Sequence, residues 1–237
     1  MWRRRGCVQW TIVLPHRTSG GVTVLYRLDA SAATLASRFG AAAGKDPWSG
    51  GVIAPGAFAP VLTAGREFIA GPRPGNGPLR LVPRQWGVPP PPSAGAAARP
   101  GVLAVRNPDS PFWIGNLRNA EFRCLVPATA FMEWGEGRDG EGRDREGRDR
   151  EGRRRRHWFA LADQPLFAFA GLWKDSEVPS FALLTTEPNA LLRRAGRDVM
   201  PVILPDDPGA WRTWLHGEWK AARDLILPYP SSAMREV

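Results

Sequence analysis

At 237 residues, with 43% hydrophobic content and 11 Trp, the chain is long enough to bury one sizeable core and too short to require two full domains. Its 24 Pro and 26 Gly exclude a bundle of long helices, its two Cys and three His show no disulfide framework or metal-ligand spacing, and no apolar run reaches membrane-spanning length. The formal charge of +9 is uneven: residues 1–22 carry +4, residues 135–156 carry nine Arg against seven acids for +2, and only +3 is left for the rest, so charge alone is weak ground for nucleic-acid binding.

In chain order, Arg3 to Arg5 followed by an apolar stretch from Cys7 to Leu14 mimic the start of a secretory signal. The stretch is short, Pro15 stops it and no small-residue cleavage pattern follows, so residues 1–22 read as a disordered extension. Residues 22–28 read as a strand, after which Ser31 N-caps an amphipathic helix over 32–39 that ends at Gly40. The Pro- and Gly-rich region from 71 to 100 reads as loops around a strand near 79–82. Short apolar runs at 122–127, 158–162, 167–173 and 181–184 have strand length. Between the first two, residues 135–156 repeat a five-residue Glu-Gly-Arg-Asp unit that matches neither the helical nor the strand period and contains nothing to bury, as expected of a solvated loop. Residues 188–194 and 208–222 read as helical, the second with Trp211, Trp214, Leu215 and Trp219 on one core-facing stripe. The expectation is one α+β domain over 23–237, strand-rich with flanking short helices.

Several blocks stand in a recognisable order. They include Leu25-Tyr26-Arg27-Leu28, Gln85-Trp86-Gly87-Val88-Pro89 and Val105-Arg106-Asn107. The densest runs from Phe122-Arg123-Cys124-Leu125-Val126-Pro127 to Phe131-Met132-Glu133-Trp134, and Leu184-Thr185-Thr186-Glu187-Pro188-Asn189 and Met200-Pro201-Val202-Ile203-Leu204 follow. In this order they resemble the SOS-response-associated peptidase family, whose members recognise abasic sites in single-stranded DNA. The resemblance implies a barrel-like core and a crosslinking chemistry. An N-terminal Cys exposed by removal of the initiator Met condenses with the ring-opened aldehyde, assisted by a Glu, a His and an Asn, while an Arg holds a phosphate. It implies no cofactor, no metal and no membrane, and a monomer whose partner is single-stranded DNA with abasic sites, in the cytoplasm and associated with the nucleoid.

Carried over residue by residue, the family's Cys falls at Thr23, its Asn at Ala104 and its His at Arg197 or Gly196, leaving Glu133 and Arg106 of the set. Glu133 lies among Phe131, Met132 and Trp134, surroundings that suit a carboxyl to proton transfer; a structural hydrogen bond is the alternative. Arg106 is the candidate phosphate clamp, with a surface ion pair as the alternative. Trp86 is a candidate base-stacking residue or a core residue. An N-terminal threonine can act as a nucleophile with its own amine as base, which keeps Thr23 a catalytic candidate if the extension is removed. Cys124 reads as a buried small hydrophobe, Cys7 as lying too far upstream to serve, and His157 and His216 as structural or exposed. An abasic-site crosslinker, a non-catalytic single-stranded DNA-binding module and an inert decaying paralogue all remain open on the sequence.

Overall fold

The computed structural model describes residues 25–42, 48–66, 71, 78–90, 101–135, 155–176 and 178–237. Thirteen strands and five short helices fill them. In chain order they are β1 (Leu25–Leu28), α1 (Ala32–Phe39), β2 (Ala41–Ala42), β3 (Gly51–Ile53), β4 (Phe58–Thr63), β5 (Leu79–Trp86) and β6 (Ala104–Val105). There follow α2 (Ile114–Arg118), β7 (Arg123–Ala128), β8 (Ala130–Gly135), β9 (Arg155–Leu161), β10 (Phe167–Lys174) and β11 (Ser180–Thr186). The chain ends with α3 (Ala190–Arg194), β12 (Met200–Pro201), α4 (Pro208–His216), α5 (Trp219–Arg223) and β13 (Met234–Glu236).

Five strands close a barrel. Antiparallel pairs join β11 to β10, β10 to β7, β7 to β4 and β4 to β5, and a short parallel pairing of Ser180 with Gln85 and Phe181 with Trp86 closes β5 onto β11. A second, fully antiparallel sheet runs β13-β9-β8-β1-β3. The two are joined by aromatic packing. Tyr26 of β1 meets Trp86 edge-on at 5.2 Å and Phe169 of β10 at 6.0 Å, and Phe131 of β8 meets Phe169 at 5.8 Å. These rings are fully buried, so one continuous core serves both sheets. The architecture is the expected single α+β domain with a closed strand-rich core.

Local signals act as the sequence implies. Ser31 accepts a hydrogen bond from the Thr34 amide at the start of α1, and Gly40 ends the helix at φ 63°, in the left-handed region. The helical stretch expected over 208–222 is instead two helices, because Gly217 turns extended at φ −66° and ψ 163° after α4. Trp211, Trp214 and Leu215 are buried, as their spacing implies. Trp214 donates its indole N–H to the Cys124 carbonyl at 2.9 Å, and the buried Arg123 guanidinium donates to the Gly217 carbonyl, which docks α4 on β7. Burial lowers the Arg123 pKa to about 10.

The strand expected near 79–82 extends to Trp86, into the region expected as loops, and pairs with β4. The two prolines that obscure these strands, Pro60 and Pro83, stand opposite each other. Neither has an N–H, so they occupy a position where the β4–β5 ladder asks for none, and the β7 pairing begins only at Leu62. The repeat tract beyond Gly135 and the extension before Leu25 lie outside the described residues, apart from the start of β9.

Close packing of β7 on β10 generates a prediction. A Cβ at Gly171 would stand 2.6 Å from Val126 Cγ2 and 2.8 Å from Cys124 Sγ. Gly171→Ala is therefore expected to lower stability by about 1–3 kcal/mol, read as a shift of the urea midpoint. An unchanged midpoint would show that the two strands can separate freely.

Candidate functional site

Strand β8 alternates its side chains between two surfaces. Phe131, Glu133 and Gly135 point one way, where Phe131 packs against Phe159 at 5.5 Å, and Met132 and Trp134 point the other. Glu133 therefore carries a carboxylate onto the core-facing side of the sheet, where it is 1% exposed. Such a burial is tolerable only with a counter-charge. Arg197, in the turn after α3, provides it: its Nε lies 3.1 Å from Glu133 Oε2, and its Nη1 donates to the Trp134 carbonyl at 2.7 Å. The guanidinium holds the carboxylate at the end of β8.

Across the β8–β9 ladder, Glu133 is paired with His157, so both side chains lie on the same surface. His157 is itself buried, and its Nδ1 is 2.7 Å from Glu236 Oε1 on β13. A carboxylate only accepts, so the Nδ1 proton is the donor. Nε2 is buried without a hydrogen-bond partner. The other ring edge faces β8: Cδ2 lies 3.2 Å from where a Cβ on Gly135 would stand. Gly135 also faces the Ala195 carbonyl, 2.0 Å from that same Cβ position, so glycine there lets the turn that carries Arg197 close onto the strand.

The other described sequence candidates lie on the barrel strands and on α4. Arg106 leaves the end of β6 exposed, beside the end of β11, where Thr185 Oγ1 donates to the Val105 carbonyl. The same β11 leads through α3 to Arg197. Ala104, where the family's Asn would stand, is buried on β6 opposite Leu183. Trp86 is fully buried; its indole N–H donates to the Leu103 carbonyl at 3.1 Å and its ring stacks on Phe181 at 6.4 Å, so the structure uses it in the core and leaves no face for a base. Cys124 is fully buried against Gly171, and burial pushes its thiol pKa up to about 12, as befits an inert core residue. His216 is exposed at the end of α4. Thr23 and Cys7 lie outside the described residues. The first described residue, Leu25, pairs with Met132, so the chain enters the sheet directly beside Glu133.

Sequence reading placed Glu133 and the odd residue at 197 but missed His157 and Glu236. One signal was available. If residues 135–156 are the loop of a hairpin, counting outward from both ends sets Trp134 against His157, one position off the observed pairing of Glu133 with His157, so the hairpin is legible and its register is not. Nothing in the sequence announces Glu236, which arrives from 79 residues further on.

On the reverse face of the same strands, cations alternate with indoles. Arg27 lies over Trp158 at 4.8 Å and Arg156 over Trp134 at 5.3 Å. Arg27, Arg156 and Arg235 are exposed there, with Val52 at 46% exposure beside Arg27. Among the described residues no group of three or more His, Cys, Asp or Glu could hold a metal ion, and no helix is long and apolar enough to cross a membrane.

Three solved structures share the fold. A Bacteroides thetaiotaomicron protein is 17% identical, with a TM-score of 0.66 and 90% of each chain covered. A Bordetella bronchiseptica protein is 21% identical at a TM-score of 0.63, covering 90% of this chain and 99% of its own. A phage-related protein from Bordetella bronchiseptica is 18% identical at 0.60, covering 90% and 92%. No curated protein matches the chain. The family match runs from the first described strand to the last residue: over residues 25–237 the chain belongs to the SOS response associated peptidase (SRAP) family, which associates it with the response to DNA damage.

Proposed function

We propose that this protein recognises abasic sites in single-stranded DNA and that it has lost the ability to form the stable crosslink. The observation that carries the binding half is the Arg-Trp face of β1, β8 and β9. Single-stranded nucleic acid is held by cations along its backbone and by aromatic rings on which bases stack, and both are interleaved here. Trp134 follows Glu133 directly, so one strand end offers an indole outward and a carboxylate inward. Arg106, exposed after β6 on the barrel sheet, adds a phosphate contact.

The loss of crosslinking rests on the Glu133–Arg197 pair. A guanidinium does not release its proton, so position 197 cannot shuttle one as an imidazole would. The resemblance also puts Thr23 in place of the thiol, and oxygen closes a less durable ring on an imine than sulfur does. Thr23 remains the candidate nucleophile of a shortened chain, since Leu25, two residues further on, pairs with Met132, the neighbour of Glu133. The protein acts on this reading as a monomer without a cofactor, in the cytoplasm at the nucleoid.

Two outcomes test it. Binding of a single-stranded oligonucleotide, followed by fluorescence anisotropy, is expected to weaken steeply with salt. Arg27→Ala, Arg156→Ala and Arg106→Ala should each reduce the salt slope by about one, and Trp158→Ala should cost about 1–3 kcal/mol. Deleting residues 136–152 should matter little; if that deletion abolishes binding while the Arg variants do nothing, the tract and not the sheet is the DNA contact.

The second outcome concerns covalent chemistry. The full chain is expected to give no denaturant-stable adduct with an abasic oligonucleotide on a gel. A chain beginning at Thr23 should give one only when borohydride reduces the imine. Equal trapping by an N-terminally acetylated version would remove Thr23 from consideration.

A further inference from the structure

We infer that His157, held by Glu236, is the proton relay of the Glu133 site, a positioning residue that acts through the carboxylate. The inference rests on the abasic-site reading above.

Three observations converge on it. The ring is fixed from one side, because its Nδ1–H donates to Glu236 at 2.7 Å, which dictates the tautomer and leaves Nε2 as an acceptor. The Cδ2 edge of the ring faces β8, where Glu133 is the cross-strand neighbour and Gly135 has no side chain to intervene. Nε2 is buried and has no hydrogen-bond partner, a costly state for a nitrogen unless it serves a proton. The sheet order β13-β9-β8 thus becomes a chemical order, with the Glu236 carboxylate, the imidazole and the Glu133 carboxylate in sequence across three adjacent strands. Carboxylate and imidazole in this arrangement are how a base is oriented and its protonated form stabilised.

Among the described residues, the charged groups around the ring are Glu236 from β13, Glu133 from β8 and, through its pair with Glu133, Arg197 from the turn after α3. Arg197 already occupies one side of the Glu133 carboxylate, so a proton for the reaction must reach it from another neighbour. The imidazole is that neighbour.

The step it serves is the dehydration that turns an aldehyde and a primary amine into a C=N bond. The amine nitrogen attacks the C1′ carbonyl of the ring-opened abasic sugar to give a carbinolamine. The C1′–O bond then breaks as the oxygen takes a proton from Glu133 and leaves as water; His157 passes Glu133 that proton after its Nε2 has taken it from the attacking nitrogen. The proton lost from nitrogen returns to the imidazole, so the balance is one aldehyde and one amine to one imine-type product and one water. An added amine is enough for this chemistry, whichever nucleophile the chain itself contains.

The experiment uses the full chain, a single-stranded oligonucleotide with one abasic site, and methoxyamine as the amine. The rate of oxime formation is followed from pH 5 to 8 beside anisotropy measurements of binding. The wild-type protein is expected to accelerate the reaction over free DNA. His157→Asn is the informative variant, since its amide can still donate to Glu236 but cannot carry a proton across. It should bind DNA and melt like the wild type, yet lower the rate by about 100-fold and lose the pH dependence. Glu133→Gln should lower the rate as far but also lower the melting temperature, because it leaves the buried Arg197 without its counter-charge, and Glu236→Gln should lower the rate by a smaller factor. A wild-type rate and pH profile in His157→Asn would overturn the relay. So would a wild-type protein that binds abasic DNA without speeding the oxime, a result that leaves abasic-site recognition standing. Failure to bind abasic DNA at all would overturn both.

Discussion

A carboxylate on the core-facing side of a β-strand constrains everything around it. Glu133 is as buried as the phenylalanines beside it, and an unpaired charge there would cost several kcal/mol. Arg197 neutralises it, but only if the turn after α3 is held against β8. That turn is positioned by its surroundings. Asn189 caps α3 through the Leu192 amide and donates to the Tyr229 carbonyl, tying the helix to the C-terminal segment. The Met200–Pro201 strand then fastens the following residues to β11. Glycine at 135 lets the Ala195 carbonyl approach. One ion pair therefore joins the second sheet, the barrel and the C-terminal strand, and loss of either partner would be felt in all three.

The barrel supplies the rigidity that this arrangement needs. Its closure depends on two residue pairs between β5 and β11, a short contact for so large a role. Trp86 reinforces it from inside, stacked on Phe181 of the partner strand and hydrogen-bonded to Leu103, which leads into β6. This is the physical reason for the burial of Trp86. An indole at the seam of a barrel contributes more by filling the closure than it could by reaching outward. The buried phenol of Tyr26, whose pKa burial and then Cys124 raise well above the usual value, packs on that same indole and links the seam to β1.

What was legible in the sequence is what is decided locally. The α1 boundaries follow from a serine hydroxyl and a glycine backbone, and the strands at 122–127, 167–173 and 181–184 follow from apolar runs bounded by turn residues. The family's order of blocks fixed the barrel-like class. What was not legible is what register decides. Pro60 and Pro83 look like loop residues until they are set opposite each other, and the break between α4 and α5 depends on Gly217, where a Cβ would strike the Thr213 carbonyl at 2.6 Å. His157 is undistinguished as a residue and acquires meaning only from Glu133 across one strand boundary and Glu236 across the other. Trp86 stands in a block that suggests a DNA contact, and only long-range closure shows it to be core.

The same dependence on register governs the site as a whole. Along β8, Glu133 faces the core and Trp134 faces the solvent side, so the groups that suit carbonyl chemistry and those that suit base stacking are one residue apart and opposite in direction. A slip of one position would bury the indole and expose the carboxylate, exchanging the two surfaces at once. The aromatic pairs that flank the strand oppose such a slip, because Phe131 is matched to Phe159 on one face and Arg156 to Trp134 on the other. Fixed charge and titratable charge are sorted by the same alternation. The outward arginines present guanidinium forks that suit phosphate, while the inward histidine is hydrogen-bonded to Glu236 on one neighbouring strand and paired across the ladder with Glu133 on the other. On the proposed function a single strand would separate recognition from chemistry, and the loss of one need not entail the loss of the other.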